Sequence, residues 1–138
     1  MLQFEVFTSV PRPPASVWAV VGDLRSLPRW TEVTHVEDAP PPPPERGARF
    51  VTVDERQALT WVVLTSEERL LEVKTDEAPC GRLGLGVSVT ADELGSRLVL
   101  AGLLDPSCST LRARTVEVPR LRRRLDRWAN RVAQAQPR

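Results

Sequence analysis

The sequence predicts an α+β fold in which one antiparallel sheet is followed by a long C-terminal helix. Most of the chain up to Leu104 divides into short runs of alternating polar and apolar residues, the period of a strand with one buried face. The links between these runs are short and rich in turn-forming residues, which favours antiparallel neighbours. The last part of the chain instead repeats apolar residues every three or four positions, as a helix does.

The composition is that of one globular domain covering residues 1–138. The hydrophobic fraction is 41% and the charged fraction is 27%, and a chain of this length buries roughly 68–70% of its unfolded surface. We expect no leader peptide and no membrane span, because the start lacks a basic and apolar leader and no run of about 18 apolar residues occurs. Cys80 and Cys108 are too few for a disulfide scaffold. We therefore expect reduced cysteines and a cytoplasmic protein.

Charge is distributed unevenly along the chain. The whole chain has a net charge of +1, whereas residues 110–138 contain nine arginines against Glu117 and Asp126. Of the 19 basic residues all but Lys74 are arginine, which is typical of a GC-rich bacterial genome. We interpret the arginines as the solvated face of the terminal helix. A nucleic-acid or anionic-membrane surface is the less favoured alternative, and salt-sensitive binding would indicate it.

The first third of the chain predicts a strand and two short helices. The strand covers residues 2–10. Pro14 suits the first turn of a helix that ends near Gly22. A second helical stretch over residues 24–30 extends for only a turn or two, because Pro28 interrupts it.

Six further strands are predicted after Thr31. They lie at residues 32–38, 48–55, 58–65, 69–75, 82–90 and 97–104. A run of five prolines, Pro40 to Pro44, separates the first two and is interpreted as an extended loop inserted into the domain.

The terminal helix is predicted from the residues after Pro119. Its apolar stripe contains Leu121, Leu125, Trp128 and Val132, with Arg124 and Arg131 flanking it. Whether residues 109–118 form an earlier helical stretch that kinks at Pro119 is left open.

The order of these elements and several short motifs resemble one known superfamily. The segment from Val10 to Val33 contains Pro-x-x-x-Val-Trp followed by Leu-Pro-x-Trp, and the strands open with Gly47-Ala48-Arg49-Phe50, Thr60-Trp61-Val62-Val63 and Gly95-Ser96-Arg97-Leu98-Val99-Leu100. This pattern resembles the START-like superfamily, also called SRPBCC or Bet v 1-like, which includes polyketide cyclases/dehydrases and lipid-transport proteins. The resemblance covers essentially the whole chain.

The resemblance implies a helix-grip fold, in which a curved seven-stranded antiparallel sheet wraps around the terminal helix and encloses a cavity. One narrow apolar helix stripe cannot fill such a concavity, so we expect an apolar pocket. The candidate ligand-binding residues come from the strand alternation, from the apolar stripe of the terminal helix and from the second short helix: Trp30, His35, Val51, Val53, Trp61, Val63, Leu71, Val87, Leu100, Leu125 and Trp128. Several strands are apolar on both faces, so a register error of one residue would invert part of this set.

His35 is the only histidine and the only candidate for acid/base catalysis or for anchoring a ligand carbonyl. Both roles need it to point into the cavity, and a half-exposed strand histidine is the alternative. Asp54 and its neighbouring carboxylates are interpreted as surface charges that pair with residues such as Arg56. No nucleophilic triad, dinucleotide fingerprint or metal-ligand set is recognisable, so we expect no cofactor and no metal.

Binding of a hydrophobic small molecule, such as a lipid, polyketide or isoprenoid, is therefore the first functional hypothesis. The second is a polyketide aromatase/cyclase or dehydratase, against which the absence of tyrosine and the single histidine count. The third is a protein-interaction module whose cavity is vestigial. Nucleic acid and integral membrane association are not expected, and a homodimer is left open.

Overall fold

A computed structural model describes residues 1–134. The chain begins with β1 (Leu2–Val10), α1 (Pro14–Val21), a 3₁₀ turn (Leu24–Ser26) and α2 (Leu27–Trp30). It continues with β2 (His35–Glu37), β3 (Arg49–Val53), β4 (Ala58–Glu67), β5 (Leu70–Ala78), β6 (Gly81–Asp92) and β7 (Gly95–Pro106). The predicted α+β order of one strand, two short helices, six strands and a terminal helix is confirmed.

The seven strands form one curved open sheet in the order β1-β7-β6-β5-β4-β3-β2, with every neighbouring pair antiparallel. Among the strands of residues 1–134, only β1 and β7 pair while being distant in sequence. The register between β4 and β5 shifts between Val63 and Thr65, and such a bulge bends the strand locally. The proline run lies in the loop between β2 and β3, as predicted.

The terminal helical region starts before Pro119. It consists of α3 (Thr110–Arg112), a π-helical segment (Ala113–Glu117) and α4 (Val118–Gln134). The Ser109 hydroxyl accepts the backbone N–H of Arg112 and caps the start. The question left open by the sequence is thereby answered, because residues 110–117 are helical. The π segment ends two residues before Pro119, which has no backbone N–H for the regular ladder of hydrogen bonds.

The hydrophobic core lies between α4 and the inner face of the sheet. The buried residues of α4 are Leu125, Trp128, Ala129 and Val132, and α4 packs mainly on β1 and β7. Arg12, after β1, donates a hydrogen bond to the Val132 carbonyl and fixes this end of the helix. Helix α4 therefore covers the β1–β7 side of the concave sheet, and α1 packs on β6 and β7.

The two cysteines are joined by a disulfide, so the prediction of reduced thiols was wrong. Cys80 lies in the turn between β5 and β6, and Cys108 follows β7. The pairing of Gly81 with Pro106 brings both to one end of the sheet, where their Cα atoms are 5.3 Å apart. The expectation of a cytoplasmic protein rested on reduced cysteines and loses that support.

Candidate functional site

A cavity of about 160 Å³ lies between the concave face of the sheet and α4. Its walls come from α2, α4 and the inward side chains of β3 to β7, and they are mostly apolar. Most of its sheet wall comes from β3 to β6, whereas α4 packs mainly on β1 and β7. This agrees with the physical argument that one helix stripe cannot fill the concavity.

Seven of the predicted ligand-binding residues line this cavity: Trp30, Trp61, Leu71, Val87, Leu100, Leu125 and Trp128. Val63 is buried in the adjacent core but does not reach the cavity surface. The structure thus brings together residues from six elements that the sequence spreads over about a hundred positions. Their role in binding stays a prediction.

The predicted orientation of β3 was wrong by one residue. Phe50 and Thr52 are buried and line the cavity, whereas Val51 and Val53 are half-buried and do not line it. The Phe50 ring stacks on the Trp61 ring at a centroid distance of 6.5 Å. Because strand side chains alternate with period two, placing the larger aromatic ring inside moves both valines to the outer face.

His35 lies outside the cavity, so the structure does not support its predicted acid/base or anchoring role. Its side chain is 56% exposed on β2, and Nε2 lies 3.3 Å from the Glu37 carboxylate. This is the alternative that the sequence left open for it, a half-exposed strand histidine.

Each of the three tryptophans on the cavity wall has a hydrogen-bond acceptor for its indole N–H. Trp30 donates to the Ser26 hydroxyl and Trp61 donates to the Thr52 hydroxyl, at 3.3 and 2.8 Å. Trp128 donates to the Glu32 carboxylate, and its ring meets the Trp30 ring edge-to-face at 6.0 Å. These bonds fix the large rings in place and keep the wall rigid.

A polar cluster of Glu32, Asp54 and Arg124 lies at one end of the cavity. The Glu32 carboxylate accepts hydrogen bonds from Arg124 Nε and from the Trp128 indole, and Arg124 Nη2 lies 3.7 Å from Asp54 Oδ2. Burial is the largest single influence on Glu32 and opposes its ionisation. The Trp128 hydrogen bond and the charge and hydrogen bond of Arg124 together outweigh burial, so the pKa of Glu32 lies below its ordinary value.

Sequence reasoning missed the cluster apart from Arg124, which was predicted to flank the apolar stripe. Asp54 was assigned to the surface in a pair with Arg56, but its carboxylate lines the cavity and accepts the backbone N–H groups of Arg56 and Gln57. The available signal was the position of Asp54, two residues after Thr52 on the face that proved to be inward. Around this polar cluster, partly or fully exposed residues form an opening of the cavity: Val33, Asp54, Gln57, Arg120, Leu121 and Arg124.

Within residues 1–134, no group of three or more His, Cys, Asp or Glu side chains is placed to hold a metal ion. The helices of that same part of the chain are all too short or too polar to cross a bilayer.

A curved antiparallel sheet that grips a terminal helix and encloses an apolar cavity defines the class of helix-grip proteins. The family described as polyketide cyclase / dehydrase and lipid transport matches residues 1–135, and the chain belongs to that family. A comparison with curated proteins finds no match.

Solved structures with the same fold come from several bacteria. A Mesorhizobium loti protein superposes with a TM-score of 0.75 at 14% identity, covering 96% of this chain and 95% of that chain. A Bacillus halodurans protein superposes with a TM-score of 0.74 at 16% identity, covering 97% and 96%. DynU16, from the dynemicin biosynthetic locus, superposes with a TM-score of 0.70 at 19% identity, covering 98% of this chain but 48% of DynU16. At these identities the similarity shows the fold.

Proposed function

We propose that the protein binds a compact hydrophobic small molecule in the cavity between the sheet and α4. The observation that carries the proposal is the unfilled apolar volume, walled by the three hydrogen-bonded tryptophans and open through a polar rim. The family description, which includes lipid transport and polyketide chemistry, supports the same class of ligand.

The size of the cavity restricts the ligand further. Drug-sized ligands occupy pockets of roughly 300–1,000 Å³, whereas an engineered apolar cavity of about 150 Å³ binds benzene. The present volume of about 160 Å³ is close to the second value. A single ring or one short isoprenoid unit therefore fits inside, and a longer chain would extend through the opening beside Arg120 and Leu121.

Burial of apolar surface alone gives modest affinity to a ligand of this size. A ring that buries about 150–250 Å² gains roughly 4–6 kcal/mol at about 25 cal/mol per Å². This corresponds to dissociation constants between about 1 mM and several tens of micromolar, before any cost of ordering. Tighter binding needs polar contacts inside the cavity.

We propose binding rather than turnover. An acid/base residue inside the cavity would have to be Asp54 or a neighbouring carboxylate, because His35 lies outside. Arg124 engages Glu32 and Asp54 together, and the lowered pKa of Glu32 makes it a weak base. The unfilled apolar volume favours ligand binding over the interaction module, in which the cavity would be vestigial.

Titration with toluene, followed by the fluorescence of the wall tryptophans and by calorimetry, tests the proposal. Ala78 lines the cavity and Ala58 lies exposed on β4, so Ala78→Phe fills the cavity and Ala58→Phe is its matched control. We expect toluene to bind saturably to the parent and to Ala58→Phe. Its affinity for Ala78→Phe should be at least tenfold lower than for the parent. Absence of saturable binding to the parent, or equal binding by both variants, would refute the proposal.

A further inference from the structure

Thr52 carries a hydrogen-bond donor inside the cavity that no protein group uses. The side chain lines the cavity, and the residue is only 8% exposed. Its Oγ1 accepts the indole N–H of Trp61 at 2.8 Å, and the hydroxyl donates to no acceptor within residues 1–134. A hydroxyl group has one hydrogen to donate, and leaving it without a partner in a buried site is costly. The cavity is where an acceptor for this hydrogen would lie.

Asp54 supplies a free acceptor on the same side. It lies two residues after Thr52, so both side chains share the inward face. Asp54 Oδ1 accepts the backbone N–H groups of Arg56 and Gln57 at 2.8 and 3.0 Å. Oδ2 faces Arg124 at 3.7 Å, which is an ion pair but too long for a hydrogen bond, so Oδ2 retains accepting capacity.

The positions of the two groups suit one small polar group between them. Asp54 directly follows β3, its backbone N–H bonds to the Gln57 carbonyl, and its side chain lines the cavity together with Thr52. A hydroxyl oxygen accepts and donates in different directions, so one ligand oxygen can bond to two groups on the same wall. A ligand hydroxyl can satisfy both sides, because its oxygen accepts and its hydrogen donates.

The charges around this point select against an anionic ligand. Among the cations on the cavity wall, Arg124 is already paired with Glu32 and Asp54, and Arg120 lies exposed to solvent. Glu117, the other lining carboxylate, faces Arg112 at 3.8 Å. A carboxylate ligand at Thr52 would therefore lie beside the Asp54 charge without a free buried cation to compensate it.

We propose that Thr52 and Asp54 form a subsite that recognises the hydroxyl group of an uncharged, ring-sized alcohol or phenol. The ligand oxygen accepts the Thr52 hydrogen, and the ligand hydrogen is donated to Asp54 Oδ2. The ring lies in the apolar part of the cavity, against Trp61 and Leu71. This proposal rests on the proposed binding function and names the class of ligand.

Three ligands of matched shape test it: toluene, p-cresol and p-toluate. Two hydrogen bonds, one of them to a carboxylate, should make the parent bind p-cresol about tenfold more tightly than toluene. We expect p-toluate to bind more weakly than toluene. Calorimetry on the parent and four variants, Thr52→Ser, Thr52→Val, Asp54→Asn and Thr75→Val, measures these ratios.

The variants separate recognition from a structural role. Thr52→Ser keeps the hydroxyl and should keep the tenfold preference for p-cresol over toluene. Thr52→Val should reduce this preference to about threefold or less. Thr75 is buried on β5 but does not line the cavity, so Thr75→Val should leave the ratio unchanged. Asp54→Asn should both lower the p-cresol ratio and improve p-toluate binding relative to toluene. If Thr52→Val loses its fold because Trp61 lacks an acceptor, Thr52→Ser and Asp54→Asn still give the test.

Equal binding of toluene and p-cresol by the parent would overturn the subsite and leave the binding function standing. The subsite would also be overturned if Asp54→Asn and a folded Thr52→Val both kept the parent's preference for p-cresol over toluene. Failure of all three ligands to bind would instead refute the proposed function.

Discussion

Replacement of Glu32 by glutamine is expected to lower the free energy of unfolding by about 1–2 kcal/mol at neutral pH. The carboxylate joins the loop after α2 to α4 through Arg124 and Trp128. Its ion pair is partly exposed, 34% at Glu32 and 28% at Arg124, so solvent screens it and it contributes at most about 1 kcal/mol. The hydrogen bond from the Trp128 indole adds about 0.5–1.5 kcal/mol, and an uncharged amide oxygen replaces only part of it.

The pH dependence has a definite sign. The pKa of Glu32 is lower in the folded protein than its ordinary value of 4.5. The unfolded chain therefore binds the proton more readily, and the contribution of Glu32 to stability is fully present above pH 4.5. It is lost as the pH falls through the folded pKa. The difference between the parent and Glu32→Gln should consequently shrink in acid.

Urea unfolding followed by tryptophan fluorescence, between pH 7 and pH 3, measures this difference. Glu37→Gln is the control, because Glu37 is 57% exposed beside His35 and its replacement should change stability by less than about 0.5 kcal/mol. Combining Glu32→Gln with Arg124→Met should cost less than the sum of the single changes. Equal stability of parent and Glu32→Gln at pH 7, or a difference that persists undiminished at pH 3, would refute the reasoning.

Two further predictions concern the packing of the sheet and its covalent link. Gly102→Ala should destabilise the fold by about 1–3 kcal/mol, because the added Cβ would overlap the Phe4 ring. Gly84→Ala on β6 should be nearly neutral in urea unfolding, because its Cβ would meet Leu103 and Val73 at ordinary van der Waals distances of 3.8–3.9 Å. Equal effects of the two substitutions would contradict the packing. The Cys80–Cys108 bond closes a loop with a sequence separation of 28, so reduction should cost about 3–4 kcal/mol of stability. Cys108→Ser should be equally destabilised and insensitive to reductant, and a parent whose stability does not respond to reductant would show that this link does not form.

The order of the secondary structure could be predicted from the sequence because it is encoded locally. Alternation marks the strands, and Pro14 marks the start of α1. The spacing of Leu125, Trp128 and Val132 marks the buried stripe of the terminal helix. These signals depend on neighbouring residues and on the fixed periods of strand and helix. The cavity followed from the same reasoning, because the apolar surface of the sheet exceeds what one stripe covers.

The lining of the cavity could be predicted only where one face of a strand was clearly apolar. On β3, Phe50 and Thr52 compete with Val51 and Val53, and a slip of one residue exchanges the faces. Only the stacking of Phe50 on Trp61 across the β3–β4 pair decides between them. The outward position of His35 follows from the same assembly of strands.

The sequence by itself thus determined the class of fold, the order of its elements and the existence of an apolar cavity. The tertiary structure alone decided the polar end of that cavity and the disulfide. Glu32 and Arg124 are 92 residues apart, and the two cysteines are 28 apart. No local period relates such residues. They meet because the sheet curves until the loop after α2 reaches α4, and because β6 and β7 pair in one particular register.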